Sequence, residues 1–164
     1  MFTSEQEMSI QFEKFLKTNF GNSYIKECQG LSGIPDFIFY TKIKKEVSVI
    51  SFELKLKNWK RATQQAFRYR SFSNIAYVVL SNDSIHSAIK NIETFEKYNI
   101  GLASFNMANI FKVIYQPEFS IPYSENLNQK LIESIGINNK KTKNIRILIK
   151  ERSNEMIKCP QDIW

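Results

Sequence analysis

Histidine and cysteine are nearly missing from this chain, which has one His (His86) and two Cys (Cys28 and Cys159) in 164 residues. Three such residues, far apart, make no zinc-finger, zinc-protease or paired-histidine site and no disulfide framework. The thiols read as two scattered buried cysteines, with pairing between them as the alternative. No wholly apolar run exceeds the six residues 75–80, far short of the roughly 20 that a membrane helix needs. The start, Met1-Phe2-Thr3-Ser4-Glu5, has neither the basic region nor the apolar core of a signal peptide, so a cytoplasmic location is expected. Glycine is scarce as well, 5 residues against 13 Phe and 7 Tyr, which excludes a low-complexity or disordered chain. Any catalysis here must run on carboxylates and lysines, with or without a hard metal.

Acidic residues are absent where basic ones gather. The net charge is +7, and no carboxylate stands between Glu53 and Asp83, a gap that holds Lys55, Lys57, Lys60, Arg61, Arg68 and Arg70. A solvated helix face usually mixes both signs, so a one-sign stretch favours a polyanionic partner. An anionic membrane would require a basic helix with a broad apolar face; the helix expected here has a small one, mostly Ala, so no membrane partner is expected. A chain of this length buries roughly 70% of its unfolded surface as one domain. After Tyr115 the composition turns polar and lysine-rich. We therefore expect a core over residues 1–116 and a basic C-terminal extension over 117–164, serving recognition or dimerisation.

Periodicity supplies the elements. Ser4 and Glu7 form a capping box, and Met8, Phe12, Phe15, Leu16 and Phe20 recur at helical spacing up to Gly21, predicting a helix over 4–20. Strands are expected at 23–28, 36–41 and 47–56, the last two joined by a hairpin at 43–46. A helix over 59–73, a buried strand over 75–80, a helix from 85 ending before Gly101 and strands at 102–105 and 110–115 follow. One more helix (125–135), a basic loop (138–144) and a terminal strand (145–149) complete the chain. The expected class is α/β, a mixed central sheet flanked by helices.

The second hairpin strand alternates. Ile50, Phe52, Leu54 and Leu56 point one way, and Ser51, Glu53, Lys55 and Lys57 the other. A turn centred between Lys44 and Lys45 makes paired residue numbers sum to 89, which sets Asp36 opposite Glu53 on one face. Facing carboxylates repel unless one is protonated or a cation lies between them, and a divalent hard metal resolves the conflict. The plainer alternatives are a turn residue at Asp36 and a solvated strand face for Glu53 and Lys55.

Ile34-Pro35-Asp36 followed by Glu53-Leu54-Lys55 resembles the motif of the PD-(D/E)xK nuclease superfamily. The order αβββαβ over 4–80 is similar to its restriction-endonuclease-like core. Phe12-Glu13-Lys14-Phe15-Leu16 resembles the Glu-bearing first helix of archaeal Holliday-junction resolvases, and Gln65-Ala66-Phe67-Arg68-Tyr69 resembles the Gln-x-x-x-Tyr element of the RecB-like branch. The resemblance implies Mg²⁺, replaceable by Mn²⁺, held by Asp36, Glu53, the Leu54 carbonyl and Glu13. It further implies that Lys55 serves the attacking water, with Gln65 beside it, in a DNA endonuclease of restriction, resolvase or homing type. Glu5, nearer the centre of the apolar helix face, competes with Glu13. Lys57, Lys60, Arg61, Arg68, Arg70, Lys140, Lys141 and Lys143 are the expected phosphate contacts. So short a chain would select targets through a homodimer or higher homo-oligomer, through its C-terminal segment or through DNA structure. A nucleic-acid-binding or assembly module on the same fold, without turnover, is the alternative. Tyr69 and Trp59 are expected in the core and His86 on the surface.

Overall fold

The computed structural model describes residues 1–43, 46–135 and 147–148. Helix α1 (Glu5–Asn19) starts where expected, with Ser4 Oγ accepting the Glu7 N–H at 3.0 Å. Six strands follow in chain order across one sheet: β1 (Tyr24–Lys26), β2 (Phe37–Ile43), β3 (Glu46–Lys55), β4 (Ile75–Ser81), β5 (Gly101–Phe105) and β6 (Phe111–Tyr115). β1, β2 and β3 are antiparallel neighbours, β4 and β5 run parallel to β3, and β6 turns back antiparallel. The parallel steps require crossovers. Helix α2 (Trp59–Tyr69) makes the first; a 3₁₀ turn (Asn82–Ser84), α3 (Ile85–Lys90) and α4 (Ile92–Tyr98) make the second.

Helices cover both faces, as expected for a mixed α/β sheet. On one face α1 buries Met8, Phe12, Phe15 and Leu16 against Phe37, Phe39, Ile50, Phe52 and Phe105. Phe12 alone meets the rings of Phe15, Phe37, Phe52, Phe105 and Phe111 at 5.3 to 6.0 Å, contacts worth about 0.5–1.5 kcal/mol per pair beyond burial. The abundance of phenylalanine is spent here. On the other face Ala62, Ala66 and Tyr69 of α2 pack on Ile38, Val49, Ala76 and Val78. Small residues on α2 let it lie close to the sheet. Covered on both sides, β3 has no solvated face: Ser51 and Glu53 are as buried as Ile50 and Phe52.

Several expectations are corrected. α2 ends at Tyr69 rather than 73, because the Arg70 and Ser71 carbonyls accept the backbone N–H groups of Tyr123 and Ser124 at 3.1 and 2.7 Å. The single helix expected from 85 to before Gly101 breaks at Asn91, whose side chain donates to the Ser87 carbonyl and whose backbone leaves the helical range. Past residue 116 the described chain continues to pack on the α2 side of the sheet. Helix α5 (Glu125–Ile135) buries Leu131 in the α2-side core, and Asn128 donates to the Phe72 carbonyl at 2.9 Å. Cys28 is half-buried, and Cys159 lies outside the described residues. So does the expected loop over 138–144 and most of the strand over 145–149; of the latter, Ile147 and Leu148 are described and are not strand. No helix among the described residues is long and apolar enough to cross a membrane.

Candidate active site

The hairpin register is the one expected: Phe37 pairs with Phe52 and Ile43 with Glu46, each pair summing to 89. β3 outruns β2. Glu53, Leu54 and Lys55 pair only with Val78, Val79 and Leu80 of β4, leaving a notch in the sheet where β2 has not yet begun. Asp36, the residue before β2, fills it: its Oδ2 accepts the Leu54 N–H at 2.7 Å. Extended by two residues, the register sets Pro35 opposite Leu54. A proline has no N–H to offer, and a strand residue turns its N–H and C=O to the same neighbour. The Leu54 carbonyl therefore faces the notch with no backbone donor across from it.

Glu53 is only 3% exposed. Its Oε2 lies 2.6 Å from the Tyr69 hydroxyl, which is also 3.1 Å from the Ile34 carbonyl oxygen. Tyr69 has one proton for these two acceptors. A protonated Glu53 removes the conflict by donating to the Tyr69 oxygen and leaving the phenol proton for Ile34. The electrostatics agree: burial, and then the charge of Asp36, push the Glu53 carboxyl up to about 7, against the pull of Tyr69 and Lys55. Burial also raises Asp36, opposed by the Leu54 N–H and Lys55, and burial raises the Tyr69 phenol.

Lys55 bridges outward. Its Nζ lies 3.8 Å from Glu53 Oε1 and 3.7 Å from Glu5 Oε2 on α1. With all groups ionised, Asp36, Glu53 and Glu5 outweigh Lys55 by two negative charges, an excess that only protons or a cation relieve. Among the described residues no three His, Cys, Asp or Glu side chains are grouped to hold a metal ion. What the notch offers is two carboxyls and a carbonyl. That suits Mg²⁺, which takes one or two protein carboxylates and completes its octahedron with water and substrate phosphate. Gln65 stands one turn before Tyr69 on α2, and its buried Oε1 has no hydrogen-bond partner among the described residues.

The structure does not bring every expected residue here. Glu13 is engaged elsewhere, accepting from the Tyr24 hydroxyl at 3.1 Å and paired with Lys26 at 3.5 Å and Lys17 at 3.7 Å. It sits eight residues beyond Glu5, about 12 Å along the helix, so Glu5 is the α1 carboxyl at Lys55. Arg70 is not a phosphate contact. It is 5% exposed, donating to the Tyr98 carbonyl at 2.7 Å and the Ser120 hydroxyl at 3.1 Å, and so ties α2 to the segment after β6. Lys57, Lys60, Arg61 and Arg68 are exposed; Lys140, Lys141 and Lys143 lie outside the described residues. Trp59 is a packing residue, its Nε1 donating to Ser87 Oγ at 3.1 Å, and His86 is on the surface. Tyr69 is core as expected, and its hydroxyl also bonds Glu53, a contact its helical position does not reveal. No local sequence signal announces that bond, which forms only where α2 crosses the end of β3.

Comparison of the chain with protein-family models, with curated proteins and with solved structures finds no match.

Proposed function

We propose that this protein is a Mg²⁺-dependent DNA endonuclease of the PD-(D/E)xK type, on a restriction-endonuclease-like core formed by α1, β1–β3, α2 and β4. One observation carries the proposal: a buried carboxyl, Glu53, and a half-buried one, Asp36, share a sheet notch with the Lys55 ammonium. Burying an ionisable carboxyl such as Glu53 costs stability that an apolar residue of similar size would not, which favours a functional reason for it. Antiparallel β1–β2–β3 with β4 parallel to β3 supports the same assignment.

Asp36, Glu53 and the Leu54 carbonyl would hold the ion, and Mn²⁺ would substitute for Mg²⁺. When bound, the metal lowers the pKa of a water and neutralises charge on the phosphate. The chain does the rest. The Leu54 N–H fixes the Asp36 carboxylate, and the Tyr69 hydroxyl fixes Glu53. Glu5 holds the Lys55 ammonium at the mouth of the notch, where it orients the attacking water and stabilises charge developing on the scissile phosphate. Supercoiled plasmid incubated with the protein is expected to nick with Mg²⁺ or Mn²⁺ and to stay intact with EDTA. DNA binding without cleavage of duplex, branched or single-stranded substrates would instead establish the silent binding module.

Arg61 and Arg68, exposed on the acid-free helix α2, are the proposed phosphate contacts. Replacing both with Ala is expected to weaken DNA binding and to reduce the slope of log K against log salt by about 2. An unchanged slope in a salt titration would turn α2 away from the DNA.

A further inference from the structure

On the flank of α2 opposite the notch runs a second feature. At about 100° per residue, Gln65 and Tyr69 fall on one side of α2, Thr63 and Phe67 on the other, and Arg61 and Arg68 on the crest between. Against the Thr63–Phe67 flank lies α4, and the two helices enclose a groove of about 500 Å³ lined by Trp59, Lys60, Thr63, Phe67 and Tyr98. Its rim is aromatic and open to solvent. Phe67 and Tyr98 are each 40% exposed and Tyr123 is 50% exposed. The Phe67 ring contacts those of Tyr98 and Tyr123 at centroid distances of 5.6 and 5.9 Å. Cations stand over the same surface, with Lys60 Nζ 5.8 Å from the Trp59 ring centroid and Lys97 Nζ 5.4 Å from that of Tyr98.

We propose that this groove binds single-stranded DNA, its bases stacked on Phe67 and Tyr98 and its phosphates drawn to Lys60, Arg61 and Arg68. Three neighbouring exposed rings are an unusual expense on a surface. Stacking platforms beside a cationic track are how proteins hold unpaired strands without reading sequence. Charge complementarity selects the polyanion: α2 contains no acidic residue, whereas α4 exposes Glu93 and Glu96, which leaves the backbone path to the α2 side. The crest arginines lie between groove and notch, so one substrate can engage both. The preferred substrate is then a duplex with a single-stranded arm, cut near the junction. This proposal rests on the nuclease reading above.

The test is fluorescence anisotropy in EDTA, where nothing is cut, using a blunt duplex, the same duplex carrying an oligo-dT arm, and oligo-dT alone. The wild type is expected to bind the armed duplex more tightly than the blunt one. Phe67→Ala with Tyr98→Ala is expected to weaken binding of the armed duplex and of oligo-dT by tenfold or more, with the blunt duplex unaffected. Phe67→Tyr, which keeps the ring, retains the affinity. Thermal melts check folding, and Phe67→Leu, which keeps bulk and loses the ring, replaces the double variant if that one fails to fold. Equal wild-type affinity for armed and blunt duplexes, or single-strand affinity unchanged by loss of the rings, overturns the groove and leaves the nuclease standing. Failure of the wild type to bind any of the three DNAs overturns both.

Discussion

Lys55→Ala is expected to cut plasmid nicking by a hundredfold or more (about 3 kcal/mol) while leaving Mg²⁺ and DNA binding close to wild type. The ammonium stands within 4 Å of Glu53 and Glu5, so in the absence of substrate it competes with a bound cation for those carboxylates. Its removal makes the notch more negative, and metal affinity has no reason to fall. What is lost is a positive charge available to the phosphate as its charge develops, an interaction realised mainly in the transition state. Asp36→Asn separates the other role. The amide oxygen can still accept the Leu54 N–H that Asp36 holds at 2.7 Å, so the strand end stays in register, but one of two anionic ligands is gone. Metal binding by calorimetry and nicking should both be lost. Asp36→Ala adds an unsatisfied Leu54 N–H, costing about 1–3 kcal/mol if it stays buried, which offsets relief of the repulsion with Glu53. Wild-type-like nicking by both Lys55→Ala and Asp36→Asn, with contaminating nuclease excluded, would move the active site elsewhere.

The hairpin was legible because its evidence is local. Alternation across 47–56 and a short turn fix the register, and the register sets Asp36 against Glu53. The αβ order was legible for the same reason, each helix and strand having a period of its own. What escaped was set by distant contacts. Nothing near Arg70 announces that Tyr98 and Ser120 will take its guanidinium, and in sequence it is indistinguishable from exposed Arg68. The choice between Glu5 and Glu13 was similar: both sit beside the apolar stripe, and only the position of α1 along the sheet decides which one meets Lys55. Helix breaks at Asn91 and after Tyr69 depend on side-chain and backbone partners that periodicity does not see. Tyr69 was readable as core from its helical position, but its hydroxyl partner emerges only when α2 crosses the end of β3.

Glu53 makes stability itself depend on pH, with a sign opposite to ordinary acid denaturation. Its carboxyl is raised from the usual 4.5 to about 7 in the folded protein, so the native state holds that proton more tightly than the unfolded chain does. The stabilisation is complete below about pH 4.5, declines as pH rises toward 7, and is gone above it. A rise of this size is worth up to about 3 kcal/mol, equivalent to several degrees in Tm for a chain of this length. Glu53→Gln removes the ionisable group while its amide can still donate to the Tyr69 oxygen, mimicking the protonated acid. In EDTA at pH 8 the variant should therefore melt several degrees above the wild type, and near pH 4.5 the two should converge. Mg²⁺ reverses the order at high pH. A cation binds the ionised carboxylate and not the acid, so saturating Mg²⁺ should raise the wild-type Tm at pH 8, barely at pH 5, and should do little for Glu53→Gln at either. Melting curves at the two pH values, with and without Mg²⁺, read all of this without any nuclease assay. A Glu53→Gln protein melting below the wild type at pH 8 in EDTA would show that the Glu53 carboxylate is a stabilising anion, and the argument for a cation in the notch would lose its footing.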